Sequence, residues 1–288
     1  MKTWHLTAIA LLPILAACAA QPTGAEYILD RTLEVEGRQG VATDGHHYYV
    51  SGSTALYRYG MDGSLEASDT HPFDELTLEC NHIGDIDIWN GEIYAGCEWF
   101  MDGEGHNIQI AVYDASTLKY KYSIPWDPTS GQVECCGLAV DSVRNEVWMA
   151  DWVNGSHLYC YDLTDRKFSR ALKLKLEGTE DRFPTLQQGI AFLDGKILIS
   201  CDDGDADKGE ADHLYIADPE TGETTLFRTM DDFKLAGEIE GLTINPLNGE
   251  LTVLSNRGAR IILGMPRGFY PGYDKEIHEI YIYRRVKA

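Results

Sequence analysis

The sequence predicts an all-β fold: a five-bladed β-propeller with four antiparallel strands per blade and a ring closed by the N-terminal strand. Three observations predict it. Helical periodicity is missing over any long stretch, while short β-branched and aromatic runs are punctuated by Gly, Asp, Asn and Pro, the pattern of many short strands. Five segments open with a glycine and continue as an alternating strand, with the glycines at 40, 84, 137, 189 and 241, spacings of 44, 53, 52 and 52. Four strands need roughly 40–50 residues, the repeat of a propeller blade. Finally, the fifth unit stops after its third strand, and an unclaimed strand-like segment precedes the first unit.

The inner strands begin at Gln39-Gly40-Val41, His82-Ile83-Gly84-Asp85, Cys136-Gly137-Leu138, Gln188-Gly189-Ile190 and Glu240-Gly241-Leu242. After a turn with Gly or Asn, each is followed by a second strand: Tyr48-Tyr49-Val50, Glu92 to Gly96, Glu146 to Ala150, Lys196 to Ser200 and Glu250 to Leu254. Third strands carry tyrosines and mostly run into an Asp turn: Leu56 to Tyr59, Ile110 to Asp114, Leu158 to Asp162, Leu214 to Asp218 and Ile280 to Tyr283. A fourth follows in the first four units. For the fifth, Tyr27 to Leu33 supplies the missing outer strand, which hides the edges an open sheet would expose.

Residues 27–288 therefore read as one domain, since no linker, low-complexity stretch or charge block divides them. The chain has 288 residues, 44% hydrophobic, with 46 Asp+Glu against 24 Lys+Arg and a net charge of −22. Such an acidic chain lacks the basic face that displaces counterions from nucleic acid, so no nucleic-acid partner is expected. The first residues read as an address. Met1-Lys2 precedes an apolar run from Leu6 to Ala17, too short to span a bilayer, ending in Leu15-Ala16-Ala17-Cys18. This resembles the lipobox of bacterial lipoprotein signal peptides. The resemblance implies removal of residues 1–17, lipid on Cys18, a tether over residues 18–26 and attachment to the cell envelope; the residue after Cys18 is not Asp, which resembles outer-membrane sorting. The expected partners are the membrane, through Cys18, and a small-molecule or glycan ligand. Six cysteines remain, at 80, 97, 135, 136, 160 and 201. In an oxidising compartment they allow up to three disulfides, a vicinal Cys135–Cys136 bridge among them, or stand as buried free thiols.

The repeat is similar to the broad propeller superfamily of gluconolactonases, paraoxonases, strictosidine-synthase-like proteins and NHL-type repeats, and lacks the Gly-His and Trp-Asp pairs of WD-type repeats. The Gln-Gly and Glu-Gly openings also resemble the five-bladed glutaminyl cyclases.

Inner-strand starts and the loops between second and third strands share one face of a propeller, so chemistry is expected at that mouth. It gathers many carboxylates, which repel one another unless protonated, paired with arginine or neutralised by a cation. Gluconolactonase-like propellers hold calcium with a Glu at an inner-strand start, which Glu240 resembles. A divalent metal, calcium favoured over zinc, is thus expected on Glu240, Asp85, Asp202 and Asn256, with Asp85 or His82 as catalytic base. Substrate contacts are expected from Glu98, Trp99, Trp152 and Gln188, and from Arg257 and Arg260 in the long basic insertion 257–278. The run Asp203 to Asp212 has the Asp spacing of a calcium loop but lacks its central Gly and final Glu, and reads as a solvated acidic hairpin. The sequence has no Gly-x-Ser-x-Gly elbow, no phosphate-binding Gly-x-x-x-x-Gly-Lys loop and no His-Glu-x-x-His motif. Three functions fit: a metal-dependent hydrolase or lactonase-like enzyme, a non-catalytic glycan- or protein-binding module, and a glutaminyl-cyclase-like enzyme using Glu240 or Glu98 to hold a substrate amine.

Overall fold

Strands this short bury little on their own; they are stable only when blades stack face to face. A computed structural model describes residues 26–234, 236–262 and 265–286. Blade 1 runs Val41–Thr43, His47–Gly52, Ala55–Gly60 and Leu65–Asp69; blade 2 runs His82–Trp89, Glu92–Met101, Glu104–Asp114 and Tyr120–Pro125. Blade 3 contains Leu138–Asp141, Glu146–Met149, His157–Asp162 and Lys167–Lys173. Blade 4 contains Gln187–Leu193, Lys196–Cys201, His213–Ala217 and Glu223–Thr229, with Lys175–Leu176 added in parallel outside. Blade 5 is Gly237–Ile244, Leu251–Arg257 and Ile277–Val286, closed by Glu26–Val35, which pairs antiparallel from Glu26↔Val286 to Val35↔His278. The protein is a five-bladed β-propeller, and its N-terminal strand closes the ring as the repeat predicts. The signal segment and Cys18 lie outside the described residues.

Each of five apolar clusters fills one blade interface. Ala42 and Tyr49 of blade 1 meet Ile86 and Ile93 of blade 2; Tyr94 and Ile110 meet Leu138 and Met149; Trp148 and Leu158 meet Ile190 and Ile199. Leu198 and Leu214 meet Leu242 and Val253, and Leu254 and Ile282 meet Val41 and Val50. All six described cysteines are buried free thiols, which corrects the disulfide expectation. For the vicinal pair the reason is that the two side chains face opposite ways: Cys135 packs between blades 2 and 3, whereas its neighbour Cys136 packs between blades 3 and 4. Burial pushes both thiols well above their usual range.

The repeated glycines exist because five inner strands converge on one axis. A Cβ on Gly40 would lie 2.6 Å from Asp85 Cα, one on Gly84 2.6 Å from Cys136 O, and one on Gly137 3.3 Å from Gly189. On Gly189 it would reach Gly241 Cα at 2.6 Å, and on Gly241 it would reach Gly40 Cα at 2.7 Å. Each glycine thus makes room for the next blade, and the ring closes on itself. Hydrogen bonds between neighbouring blades lock it: Gly241 N donates to Gln39 O (2.8 Å), Ile83 N to Ser53 O (2.9 Å) and Ser200 Oγ to Glu240 O (2.6 Å).

Candidate active site at the channel mouth

Above the glycine ring lies a pocket with about 490 Å³ of free space, walled by Gln39, His82, Phe100, Glu134, Trp152, Gln188, Glu238 and Glu240, with Arg38, Ser53, Cys136 and Ile261 completing it. The shared-face reasoning therefore holds for His82, Trp152, Gln188 and Glu240.

One wall is a relay of polar side chains from blades 1, 2 and 3. His82 ends the connection into blade 2; its Nδ1 meets Glu98 Oε1 at 3.1 Å and its Nε2 meets Gln39 Oε1 at 3.2 Å. Strand pairing sets this geometry, because His82 and Glu98 face each other across the first two strands of blade 2. Glu98 is fully buried, and its Oε2 accepts from Cys135 N at 3.2 Å. Against it lies Glu134, whose Oε2 accepts from Trp152 N at 2.7 Å. Burial, with the Glu98 and Asp151 charges next, pushes the Glu134 carboxyl well above the usual carboxylate range. Asp151 is raised for the same first reason, although Asn154 N and Val133 N donate to it. Two buried carboxyls side by side with unlike surroundings can divide acid and anion roles between them.

The opposite wall belongs to blades 4 and 5. Arg38 is an ion-pair hub: its Nε meets Glu276 at 2.9 Å, and its Nη2 lies 3.4 Å from Glu238 and 4.0 Å from Glu240. Gln188 Nε2 donates to Glu238 Oε1 at 3.1 Å, and Asn256 Nδ2 donates to Glu240 Oε1 at 2.5 Å. Burial, then the Glu238 charge, raises Glu240 well above its usual range despite Arg38. Among the buried polar atoms without a partner, the indole N–H of Trp152 and Oδ1 of Asn256 belong to residues at this site. A buried unpaired donor costs about 1–3 kcal/mol, so Trp152 is a donor in want of an acceptor.

Several expected site residues stand elsewhere. Asp85 does not line the pocket: it plugs the channel below, where its carboxylate accepts from Ile86 N (2.9 Å) and, across the axis, from Ile190 N of blade 4 (3.2 Å). Burial raises it far above its usual range. Asp202 lines a second, acidic cavity of about 170 Å³ with Asp212, Glu238 and Tyr270. Burial, then Glu238, Asp212 and Asp203, raises it strongly. Asn256 donates its Nδ2 to Glu240 and to the Arg38 carbonyl (2.9 Å), and its Oδ1 has no partner. The four expected ligands Glu240, Asp85, Asp202 and Asn256 thus do not converge, and among the described residues no three His, Cys, Asp or Glu side chains are grouped to hold a metal ion. Trp99 sits opposite His106 on the blade 2 hairpin, outside the pocket.

The insertion forms a hairpin, Ala259–Ile262 with Met265–Phe269, and Arg257 and Arg260 are held by carboxylates outside it. Arg257 grips Glu279 through two bonds of 2.8 and 3.0 Å and stands over Tyr273; Arg260 bonds Asp207 at 2.6 Å and covers Tyr270. Within the acidic hairpin, Asp203 is occupied by His213 Nδ1 (2.8 Å) and Tyr215 OH (2.6 Å), Asp205 by Lys208 (2.7 Å), and Asp212 by Gly204 N (3.1 Å). Arg38 is the residue that sequence reasoning missed altogether.

The fold and this pocket define a class: a five-bladed propeller with a carboxylate-rich mouth. No family model matches the chain, and no curated protein matches it. Solved structures do. It is similar to a glutaminyl cyclase of Myxococcus xanthus, at a TM-score of 0.58 and 12% identity, covering 91% of this chain and 97% of that one. It is also similar to a protein of unknown function from Bacteroides thetaiotaomicron VPI-5482, at a TM-score of 0.52 and 12% identity, covering 90% and 72%. At these identities the likeness is one of fold.

Proposed function

We propose that the protein is a glutaminyl-cyclase-like enzyme of the cell envelope, which closes the N-terminal glutamine of a peptide into a lactam and releases ammonia. The observation that carries this reading is His82 on the pocket wall, oriented by Glu98, which is buried behind it and does not itself line the pocket, beside Glu134 raised by burial. Likeness of fold to a glutaminyl cyclase over nearly the whole of both chains supports it.

The reaction needs no cofactor chemistry, only placed proton carriers. The substrate's amino nitrogen attacks its own γ-carboxamide carbon, forming the C–N bond of the ring. His82 takes the proton from the attacking nitrogen, held in place through Nδ1 by Glu98 as a base is held by an orienting carboxylate. Glu134, whose carboxyl burial raises well above its usual range, gives a proton to the departing nitrogen as the second C–N bond breaks and ammonia leaves. Transfer from His82 back to Glu134 restores both groups. Gln39 and Gln188, on facing walls, present amides to the substrate carboxamide, and the unpartnered Trp152 N–H supplies a donor for a carbonyl oxygen.

The test is ammonia release from glutaminyl peptides by the soluble domain, with the lactam product read by mass spectrometry. His82→Ala is expected to lower kcat by roughly 10²–10⁴-fold without unfolding the protein. Release no faster than the spontaneous reaction from a folded protein would end this reading. A second reading, a module that holds a glycan or protein at the same mouth, has Trp152 and Phe100 in its favour as stacking walls; a folded, inactive protein that binds oligosaccharide would select it.

A further inference from the structure

Beside the mouth runs a larger groove, with about 1180 Å³ of free space. One side is the blade 2 hairpin, where the strands Glu92–Met101 and Glu104–Asp114 run beyond their counterparts in blades 1, 3 and 4; the other is the connection from Trp126 to Val133. Ile108, Trp126, Pro128, Val133 and Val153 give it an apolar lining. Val133 and Val153 are 44% and 45% exposed, and the buried indole N–H of Trp126 has no partner. That combination of open apolar surface and an unpaired donor fits a peptide, which brings side chains for the first and carbonyl oxygens for the second.

The groove adjoins the mouth across a rim one residue thick. Val133 lines the groove and the next residue, Glu134, lines the mouth; Trp152 lines the mouth and the next residue, Val153, lines the groove. Gly105 stands between, so close to the relay that a Cβ there would collide with the Glu98 carboxylate and come within 3.0 Å of Glu134 Cα. We infer that this groove binds the residues that follow the N-terminal one, and that the substrate is a polypeptide with apolar side chains directly behind its N-terminus. The inference rests on the glutaminyl cyclisation proposed above. A chain whose first residue sits between His82 and Gln188 leaves the mouth over Gly105 and lays its next residues between Val133 and Val153.

The experiment compares two amidated peptides, Gln-Leu-Phe-Ala and Gln-Gly-Gly-Ala, on the wild-type soluble domain and on the separate variants Val133→Asp and Val153→Asp. Both valines are half exposed, and a melting curve checks that the variants fold. The expected result is a kcat/KM at least about tenfold higher for the apolar peptide, since even one methylene in an apolar pocket discriminates by about that factor. In each variant the ratio should fall towards one. Equal kcat/KM for both peptides on the wild type, or a preference that survives both substitutions, would overturn the groove while leaving the cyclase reading intact. If neither peptide is turned over, the cyclase reading has failed, and the groove is tested alone by calorimetric titration with N-acetyl-Leu-Phe-Ala-amide. Saturable binding lost in Val153→Asp supports a peptide groove; no binding overturns it.

Discussion

Replacing Gly189 with alanine tests the glycine ring that places the site. Gly189 begins the inner strand of blade 4, and an added methyl would lie 2.6 Å from Gly241 Cα, 2.9 Å from Asp85 Oδ2 and 3.0 Å from Ser200 Oγ. The first of these is backbone, so no rotamer change relieves it; blade 4 or blade 5 must move outward. Forcing a methyl into a packed interior costs about 1–3 kcal/mol, and the stiffer unfolded chain returns about 0.4–1 kcal/mol. The net loss, up to about 2.5 kcal/mol, corresponds to a melting temperature lower by up to about 10 °C for a domain of this size. Gly52→Ala is the matched control, because its Cβ would meet Tyr57 Cε2 at 3.6 Å, an ordinary contact. Thermal unfolding followed by circular dichroism should show Gly189→Ala clearly below wild type and Gly52→Ala at or above it. If Gly189→Ala melts with the control, the inner strands are not in the contact that the ring requires.

Other substitutions and conditions have equally definite outcomes. Burial pushes Asp87 up to about 6, and burial followed by the Asp203 and Glu238 charges pushes Asp212 up to about 7, from 3.8. A carboxyl with a raised folded value contributes fully below its unfolded value and loses that contribution as pH rises through the folded one, so the melting temperature should fall between about pH 4 and about pH 7; a rise would contradict the burial of these groups. Asp114 and Asp218, held near 2 by hydrogen bonds, act in the opposite sense only below that window. Thiol titration of the domain beginning after Cys18 should find six reactive thiols after denaturation and few before it; fewer than six after denaturation would restore a disulfide. Arg257→Ala should lose about 1–3 kcal/mol with the Glu279 pair and leave KM unchanged, whereas a raised KM without lost stability would return Arg257 to the substrate.

The ring was legible in the sequence because a close approach at the axis admits only one residue, and that residue recurs five times. Closure was legible from arithmetic on strands, the fifth unit being one short and the N-terminus one over. The mouth was legible in part, since a propeller's topology sends inner-strand starts and second-to-third loops to the same face, as His82, Trp152, Gln188 and Glu240 bear out. Depth along the axis was not. Asp85 follows Gly84 as Val41, Leu138, Ile190 and Leu242 follow their glycines, and the apolar habit of that position marks Asp85 as a buried plug rather than a ligand. Arg38 gave no local signal: its partners Glu238 and Glu276 lie some two hundred residues away and meet it only when the ring closes. The cysteines misled through their even number, which says nothing about which side of a strand each occupies.

Glu98→Gln in the cyclisation assay tests the central claim most directly. The substitution keeps the size of the side chain but replaces the carboxyl that orients His82 and faces Glu134 with an amide. The account expects wild-type protein to release ammonia from a glutaminyl peptide with formation of the lactam, and Glu98→Gln to lose roughly a hundredfold or more in kcat with its melting curve intact. Equal turnover by the two proteins would contradict it.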